Sequence, residues 1–341
     1  MNSPQDHISV VIPAYRCATS IAAVIESLFS QTILPLEIII VNDCSPDNLC
    51  EILEPYKERI VLIQNEQNLG LSKTYNRGLE RARGEFILTL HSDCILGTDY
   101  IEKLCSTMAS DLSIGAVTGQ YNFHDFEDLE LSDQLYSVLN RLPIAEPDFQ
   151  EPIEEISFIE GKADLFRKKD LQRFGFFCEN LSLTAEDQDL SAKYRLDGFR
   201  LMQNHQARFS VKYNGTQDSL WKVLKKQWSY ARGQAYVLLK HGRHAVKLNS
   251  QNRNDRLFHR MSQIVFSTLE VLMVGLCATG RNALVPLVGI LAVRSFYYIY
   301  IARPMRLLRR CLAIPFGLFA DFFYAAGMLQ GAVLYFSVRK V

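Results

Sequence analysis

The feature that most constrains the fold is a repeat in the first ninety residues, where short apolar runs alternate with segments of helical spacing. The apolar runs are residues 8–12, 36–41, 60–64 and 86–90, and helical spacing follows at 18–30 and 71–83. Strands that are apolar throughout and alternate with helices specify a parallel sheet that is covered on both faces. The sequence therefore predicts an α/β fold with a mostly parallel sheet.

Polar residues follow two of these strands directly. Asp43 follows the second strand, and the triplet His91-Ser92-Asp93 follows the fourth. In open α/β sheets, ligands bind at the carboxyl ends of the strands. Because Mg²⁺ and Mn²⁺ prefer oxygen ligands, Asp93 is a candidate metal ligand. The alternative is that Ser92 and Asp93 only cap a helix that starts near Tyr100.

Two later stretches are rich in acid. Residues 123–155 are predicted to form a solvated helix and a loop of the kind that closes over a cleft. Further on, Glu186, Asp187 and Asp189 open a segment in which Thr184 can cap a helix running to residue 196. Acids in a first helical turn commonly serve the helix dipole, so not all three need a functional role.

Charge and composition limit the classes of partner. The 341 residues carry 37 Lys/Arg and 37 Asp/Glu, which gives no reason to expect a nucleic-acid partner. The balance hides an asymmetry, since residues 251–341 hold 11 basic and 3 acidic side chains, a net of 11 − 3 = +8. Residues 1–7 have no signal-peptide core, and the eight cysteines form no CxxC pair. The chain is predicted to keep its body in the cytosol and its basic end at a membrane.

Three apolar segments close the chain, each near the length of about 20 residues that crosses a bilayer. They are residues 261–279, 283–302 and 312–338, and they carry one ionisable residue each within the run, Glu270, Arg294 and Asp321. Four arginines between the second and third segments place that connection on the cytosolic side by the positive-inside rule: Arg303, Arg306, Arg309 and Arg310. We expect residues 241–341 to form two or three membrane-associated helices, with a buried soluble subdomain as the alternative.

Several motifs occur in a fixed order over roughly residues 8–240. They are Ser9-Val-Val-Ile-Pro-Ala-Tyr15, Asn42-Asp43-Cys44-Ser45, Asn68-Leu-Gly70, His91-Ser-Asp93, Gly161-Lys-Ala-Asp-Leu-Phe-Arg167, Glu186-Asp187 and Gln227-Trp-Ser-Tyr-Ala-Arg-Gly233. Together they resemble the family 2 glycosyltransferases, whose catalytic domain has the Rossmann-like GT-A fold. The resemblance implies a catalytic domain over residues 1–240 and a nucleotide-diphospho-sugar donor.

The resemblance also implies the donor site. It assigns donor binding to a set of residues on the strand-end loops and one later helix: Pro13, Tyr15, Asp43, Asn68, Gly70, Ser92 and Arg232. Asp43 corresponds to the carboxylate that binds uracil, and Tyr15 offers a flat ring to the base. Arg232 would add positive charge near the diphosphate.

The chemistry implied is a single displacement. Asp187, with Glu186 beside it, would take the proton from an acceptor hydroxyl, which inverts the anomeric centre. Asp93 would hold a divalent metal, Mg²⁺ or Mn²⁺, with a weaker assignment for His91. Gly161 and Asp164 fall on the acceptor side.

Three positions depart from the family pattern. His91 stands where the first carboxylate of an Asp-x-Asp motif is usual. Cys44 stands where glycine is usual and is expected to need a different turn. By spacing, Val211-Lys212-Tyr213 replaces the histidine that many relatives use as a further metal ligand, so His205 is interpreted as structural.

The sequence thus predicts a membrane-associated inverting glycosyltransferase whose catalytic domain faces the cytoplasm. Its donor would be UDP-linked, and its acceptor a lipid-linked or growing glycan of the cell envelope or an exopolysaccharide. Two alternatives stay open: a processive polysaccharide synthase, whose Gln-x-x-Arg-Trp motif is absent here, and a non-catalytic protein that binds nucleotide sugars. A nicotinamide-dependent oxidoreductase is disfavoured because no Gly-x-Gly-x-x-Gly follows Ile12.

Overall fold

The computed structural model describes residues 7–122, 129–140, 151–181, 184–211, 219–242, 254–279 and 283–338. The chain forms two compact units, Met1–Asn122 with Asp148–Asn214 and Phe123–Pro147 with Gly215–Val341. Residues 215–240 therefore group with the apolar helices, although the sequence placed them with the preceding residues. The assignment of 1–240 as the catalytic domain stays a prediction.

The first unit is built on one nine-stranded sheet. The strands are β1 Ile8–Ala14, β2 Glu37–Asn42, β3 Val61–Gln64, β4 Phe86–Leu90, β5 Cys94–Leu96, β6 Ile114–Tyr121, β7 Ile153–Ile156, β8 Ala163–Arg167 and β9 Arg200–Val211. Their order is β3-β2-β1-β4-β8-β6-β9-β5, with β7 paired to β9. The neighbours among β1–β4 pair in parallel, as predicted, and β8 lies antiparallel to both β4 and β6. The α/β fold is confirmed, with a sheet that is parallel in one half and mixed in the other.

Helices cover both faces of this sheet. The helices of the chain are α1 Ile21–Phe29, α2 Leu49–Leu53, α3 Leu71–Arg81, α4 Tyr100–Ser110, α5 Leu131–Leu139, α6 Lys168–Phe174, α7 Glu186–Leu196, α8 Leu220–His241, α9 Asn254–Ala278, α10 Leu284–Ile301 and α11 Leu307–Val338. One core joins the sheet to α1 and α4, and a second joins it to α3, α6 and α7. Gly78 is needed for the second, because a Cβ there would lie 2.4 Å from Val11 Cγ1.

The second unit holds α5 and α8–α11. Two of its helices are long and apolar enough to cross a membrane, Leu284–Ile301 and Cys311–Val338, and most of each window lies outside the protein core. The first predicted segment yields only a shorter apolar helix, Val265–Ala278. Composition and length thus support membrane association for two of the three predicted segments.

The ionisable residues of the apolar segments are buried inside the second unit. Arg294 donates from Nε to Asp321 Oδ2 at 2.9 Å and from Nη2 to Oδ1 at 2.7 Å. Tyr298 Oη also donates to Asp321 Oδ1, at 2.7 Å. Glu270 is fully buried as well. A charged residue from α10 and one from α11 are therefore paired by two hydrogen bonds, and Tyr298 adds a third to the Asp321 carboxylate.

The acid-rich stretch at residues 123–155 is only partly described. Its helix is α5, which packs against α8 through the paired hydroxyls of Tyr136 and Tyr230, 2.5 Å apart. Residues 123–128 and 141–150, where the covering loop was predicted, lie outside the described residues. That expectation therefore stays a prediction.

Candidate active site

Asp43 organises the loop after β3. The side chain is 3 % exposed. Its Oδ1 accepts hydrogen bonds from Asn65 Nδ2 at 2.7 Å and from Leu69 N at 2.8 Å, and its Oδ2 accepts one from Gly70 N at 2.9 Å. Three of about four acceptor positions of the carboxylate are thus used within the protein. The predicted contact with a nucleotide base could use only what is left, and it stays a prediction.

The predicted donor residues Asn68 and Gly70 do lie beside Asp43. Gly70 has φ 84°, a conformation that glycine adopts at little cost, and it is the residue from which α3 begins. Asn68 Nδ2 lies 3.5 Å from the Asp43 carbonyl oxygen. Three predicted donor-site residues, from two separate motifs, are therefore brought together at the end of β2.

Tyr15 and Pro13 differ in what they can offer a ligand. The Tyr15 ring is 42 % exposed, with the Arg16 guanidinium 5.4 Å from its centroid. Pro13 is buried inside β1, opposite Val41 of β2. Only Tyr15 presents a face to which a base could stack.

The turn after Asp43 corrects one expectation. Cys44 was expected to need a turn different from that of glycine, but it has φ 54°, in the left-handed region that glycine favours. The loop is held in this shape by its own polar contacts: Ser45 N donates to Asn42 Oδ1 at 2.9 Å, and Arg16 N donates to Ser45 Oγ at 2.7 Å. These contacts are sufficient to hold a non-glycine residue in the glycine conformation.

The triplet after β4 is tied to its neighbours on both sides. His91 N donates to Lys162 O at 2.8 Å, next to β8, and Ser20 Oγ donates to Ser92 O at 2.8 Å, next to α1. The alternative in which Ser92 and Asp93 cap a helix is wrong, because β5 intervenes and Asp99 is the N-cap residue of α4. The triplet therefore forms a loop at the strand edge.

A buried thiol shows that the loops after β2 and β4 adjoin. Burial raises the pKa of Cys17 to about 11, the Ser92 hydroxyl lowers it in part, and the charges of Asp47 and Asp93 raise it further. Asp47 belongs to the loop after β2, and its Oδ2 accepts from Ala18 N at 2.9 Å. The loops after β1 and β2, which carry predicted donor residues, and the loop with the predicted metal ligand Asp93 are thus at one edge of the sheet.

Gly161 and Asp187 lie against each other. A Cβ on Gly161 would be 3.2 Å from Asp187 Cβ, and the glycine has φ 70°. Glu186 and Asp187 open α7, and Ala185 before them is also left-handed, at φ 69°. The expected Thr184 cap is wrong, since Ala185 is the N-cap residue and no side-chain cap bond forms. Backbone strain of this kind clusters at functional sites.

Asp164 is buried in the sheet rather than exposed to an acceptor. It lies in β8 between Thr89 of β4 and Thr118 of β6, and it is fully buried. Burial raises the pKa of its carboxyl from 3.8 to about 7; the Thr118 hydroxyl opposes this, and the charges of Asp187 and Glu160 add to it. In this position Asp164 can act on Asp187 through its charge, but it has no surface for an acceptor to touch.

Tyr75, which the sequence analysis did not identify, is a buried tyrosine whose hydroxyl is affected by the charges of three site acids. Burial raises the pKa of its hydroxyl well above 10, and the charges of Asp164, Glu186 and Asp93 raise it further. Its ring centroid lies 6.3 Å from that of His91. The residue sits in α3 among other buried positions, so nothing in the sequence distinguished it from an ordinary core tyrosine. Tyr75 therefore lies beside the triplet after β4, and charges from both that triplet and the start of α7 act on its hydroxyl.

Two predicted residues have other surroundings. Arg232 lies on α8 in the second unit, with its guanidinium 5.8 Å from the Trp228 ring centroid, so its diphosphate role stays a prediction. His205 is buried on β9, with Nδ1 3.3 Å from Gln120 Oε1 and Nε2 3.5 Å from Glu154 Oε1. Those contacts agree with the structural role expected for it.

Few side chains near Asp93 could act as ligands of a divalent metal. Asp93 is half-buried, with Cys94 Sγ 3.6 Å from its Oδ1, and the Nε2 atom of His91 is buried. Within the described ranges, no group of three or more His, Cys, Asp or Glu side chains is arranged to hold a metal. One carboxylate still fits Mg²⁺ or Mn²⁺, which commonly take one or two protein carboxylates and complete their shell with substrate phosphates.

Comparison with known families now identifies the class. Residues 9–175 match the family described as Glycosyl transferase family 2. This chain therefore contains a family 2 glycosyltransferase domain. It is 26% identical over 235 residues to Glycosyltransferase GlyA of Streptococcus pneumoniae, covering 66% of this chain and 33% of that protein. It is 36% identical over 121 residues to the putative glycosyltransferase EpsH of Bacillus subtilis, covering 35% of each. The matches thus span about a third of the length of these two relatives.

Longer but weaker similarities extend over both units. The poly-beta-1,6-N-acetyl-D-glucosamine synthase of Staphylococcus aureus is 23% identical over 270 residues, covering 79% of this chain and 64% of that protein. The mannosyltransferase PcManGT of Pyrobaculum calidifontis, solved with GDP-Man and Mn²⁺, superposes with a TM-score of 0.58 at 16% identity, covering 95% of this chain and 86% of that one. These comparisons confirm the predicted GT-A fold.

Proposed function

We propose that this protein is an inverting glycosyltransferase that moves a sugar from a nucleotide-diphosphate sugar, UDP-linked, to a lipid-linked or growing glycan of the cell envelope or an exopolysaccharide. The observation that carries the proposal is the contact of Asp187 with Gly161, together with the position of Tyr75, whose ring lies 6.3 Å from that of His91 and whose hydroxyl pKa is raised in part by the charges of Asp164, Glu186 and Asp93. This cluster lies at the sheet edge to which the nucleotide loops also belong.

In the proposed reaction Asp187 is the general base. Its carboxylate takes the proton of an acceptor hydroxyl while that oxygen attacks the anomeric carbon, and the bond from that carbon to the diphosphate oxygen breaks. The nucleoside diphosphate leaves from the opposite face, so the anomeric centre inverts. Asp187 Oδ1 accepts a hydrogen bond from Gln188 N at 2.8 Å, which fixes the orientation of the carboxylate. Glu186, which is buried, acts beside it as a positioning group.

In this proposal the nucleotide-sugar donor binds to the loops after β1, β2 and β3, at the other side of this edge. Tyr15 stacks with the base, and Asp43 keeps the Leu69–Gly70 amides in place around the nucleotide. Asp93 would hold the metal, Mg²⁺ or Mn²⁺, which when bound offsets the charge of the departing diphosphate. The relative solved with GDP-Man and Mn²⁺ supports both a nucleotide-sugar donor and a divalent metal.

The second unit supports a membrane-held acceptor. Its two apolar helices are long enough to cross a bilayer, and Arg303, Arg306 and Arg309 stand between or at the start of them, on the side the positive-inside rule assigns to the cytoplasm. We infer that the catalytic domain, residues 1–240, faces the cytoplasm and that residues 241–341 associate with the membrane. A membrane-bound enzyme meets lipid-linked or nascent glycans directly.

A processive synthase is the second candidate. It is favoured by the similarity to the poly-beta-1,6-N-acetyl-D-glucosamine synthase over 79% of this chain. The two reactions differ in their products, because a processive enzyme extends one acceptor many times before release. Product length, resolved on gels with a short labelled acceptor and excess donor, separates them.

The test uses the full chain against a panel of UDP-, GDP- and dTDP-sugars, with a membrane extract as acceptor. We expect transfer or slow hydrolysis from one UDP-sugar, loss of activity with EDTA, and recovery with Mn²⁺ or Mg²⁺. Full activity after EDTA would contradict the metal assignment. Donor binding by calorimetry without turnover of any sugar would favour the non-catalytic alternative.

A further inference from the structure

The second unit contains a cavity between α8 and α11. Its volume is about 270 Å³, and its lining is almost wholly apolar: Trp228, Phe322, Phe323 and Ala326, with Lys225 beside them. Pockets that enclose a whole small molecule usually begin at about 300 Å³. This cavity is therefore suited to part of an apolar chain rather than to a compact polar ligand.

The cavity is a consequence of how the two helices pack. A Cβ on Gly327 would lie 2.2 Å from Trp228 O, and one on Gly331 would lie 2.1 Å from Arg232 O, so the backbones are nearly in contact there. One turn earlier along α11 lie Phe322 and Phe323, which line the cavity together with Trp228 of α8.

The charge on α8 indicates the kind of chain that would enter. The helix carries five basic residues and no acidic residue, namely Lys222, Lys225, Lys226, Arg232 and Lys240. Lys225 is exposed at the cavity, and its ammonium lies 5.6 Å from the Trp221 ring centroid. An apolar cleft beside a cationic helix is complementary to a molecule that joins a hydrocarbon chain to an anionic group.

We propose that this cavity binds one acyl chain of an anionic membrane phospholipid, whose phosphate lies at the Lys225 ammonium. The proposal does not depend on the glycosyltransferase reaction, since none of the residues that line the cavity has a role in the proposed reaction. It gives α8 a role in lipid selection. The apolar helices α10 and α11 would then supply only general affinity for hydrocarbon.

The two tryptophans of the chain provide the test. Trp228 lines the cavity, and the Trp221 ring meets the Phe323 ring edge-on at 5.3 Å. The full chain carrying Trp221→Phe has Trp228 as its sole tryptophan. It is reconstituted in vesicles that contain increasing amounts of phosphatidylglycerol or phosphatidylcholine brominated on the acyl chains. We expect half-quenching of Trp228 at a mole fraction of brominated phosphatidylglycerol about fivefold lower than for brominated phosphatidylcholine, because the phosphate is held at Lys225.

Matched variants separate specific binding from immersion in the bilayer. Lys225→Gln should bring the fivefold preference close to one, whereas Lys226→Gln should leave it unchanged, because the Lys226 ammonium lies 5.2 Å from the Tyr230 ring centroid instead. Ala326→Phe should fill the cavity and lower quenching about threefold. Phe322→Ala enlarges the cavity and should keep the preference, which covers the case in which Ala326→Phe fails to fold.

Three outcomes would overturn the proposal. Equal quenching by both lipids that is insensitive to Ala326→Phe means that the tryptophan only senses the bilayer. An equal effect of Lys225→Gln and Lys226→Gln means that charge acts without a defined site. Displacement of brominated phosphatidylglycerol by a polyprenyl phosphate at a much lower mole fraction, or by inorganic phosphate in solution, assigns the cavity to a different ligand.

Discussion

The first unit buries one carboxylate at each end of its predicted site, Asp43 and Asp164, and the surroundings of the two are opposite in character. At the donor end, Asp43 receives three hydrogen bonds from Asn65, Leu69 and Gly70. At the catalytic end, Asp164 is fully buried and faces the charges of Asp187 and Glu160, which together with burial raise its pKa to about 7. Hydrogen bonds satisfy the first group, whereas the second is left in an environment that disfavours its charge.

This difference separates two tasks. A satisfied carboxylate stabilises a loop, so the donor end can be organised before any ligand arrives. Several carboxylates close together destabilise the fold, but their repulsion raises their pKa values. Such groups can take up a proton, as a general base must. Substitutions at the two ends should therefore differ in kind: activity should be lost at one, and stability and donor affinity at the other.

Asp187→Asn should abolish transfer and spare donor binding. An amide cannot take the acceptor proton, so the loss of kcat should be about 10²- to 10⁴-fold, with Kd for UDP changed less than threefold. The checks are initial rates with the active donor and calorimetry with UDP. Asp197→Asn, at the far end of α7 and paired with Arg173 at 2.6 Å, is the control and should keep full activity. Equal losses in the two variants would refute the role of Asp187.

Asp164→Asn should remove most of the fall in stability between pH 4 and pH 7. The folded carboxyl keeps its proton up to about pH 7, whereas the unfolded one loses it near 3.8, so the folded state binds more protons in that interval. The free energy of unfolding should therefore fall as pH rises from 4 to 7 and stay low above it, by up to about 4 kcal/mol in total.

Urea unfolding at several pH values checks this. The asparagine variant should lose most of the fall and be the more stable protein at pH 8. Glu85→Gln, at an exposed position in the same unit, serves as the control and should follow the parent protein. A fall of unchanged size in Asp164→Asn would mean that another group carries the pH dependence.

Asp43→Asn should weaken both the fold and the donor site. One oxygen becomes an NH₂ group that faces a backbone donor, so at least one hydrogen bond is lost and a buried N–H is left unpaired, at a cost of about 2–3 kcal/mol. Urea unfolding measures the stability, and calorimetry with UDP should show at least a tenfold weaker Kd.

Asp47→Asn is the matched comparison, because Asp47 also accepts two hydrogen bonds but is only half-buried. We expect a smaller loss of stability there. A larger loss in Asp47→Asn than in Asp43→Asn would mean that the loop after β2 is held mainly from its outer side.

Cys44→Gly should slightly stabilise the protein. Glycine adopts φ 54° without the steric cost of about 1–2 kcal/mol that a side chain meets, and its greater freedom in the unfolded chain returns part of that gain. A net increase of about 0.5 kcal/mol in the free energy of unfolding is expected. Cys50→Gly, inside α2, should have the opposite sign because glycine weakens a helix.

The parallel half of the sheet was predictable because its signals are local. β1, β2 and β4 are mostly apolar and almost wholly buried, and each is followed by a polar loop. The site residues on those loops, such as Asp43 and Asp93, could be found for the same reason, since parallel strands end at a common edge.

The mixed half was not predictable from local patterns. β8 carries Asp164 at its centre, and β9 carries Gln203, Asn204 and His205, all buried. A run of polar residues like this is typical of a loop when only the sequence is known. The hydrogen-bond partners that keep these residues in a buried strand are distant in sequence: Gln203 Nε2 donates to Gly119 O at 3.0 Å, and Asn204 Nδ2 donates to Thr107 Oγ1 at 2.9 Å. Tyr75 was missed likewise, because only the assembled neighbours distinguish it from a core residue.

The Arg294–Asp321 pair constrains the order in which α10 and α11 can enter a bilayer. Each ionised side chain at the middle of a lone helix would cost about 2.5–3.5 kcal/mol to insert. Once joined through two hydrogen bonds, the two charges cancel, and most of that cost disappears. For the membrane association proposed above, inserting α10 and α11 together as a hairpin is therefore cheaper than inserting one helix after the other, so the pair would make them one unit of biogenesis.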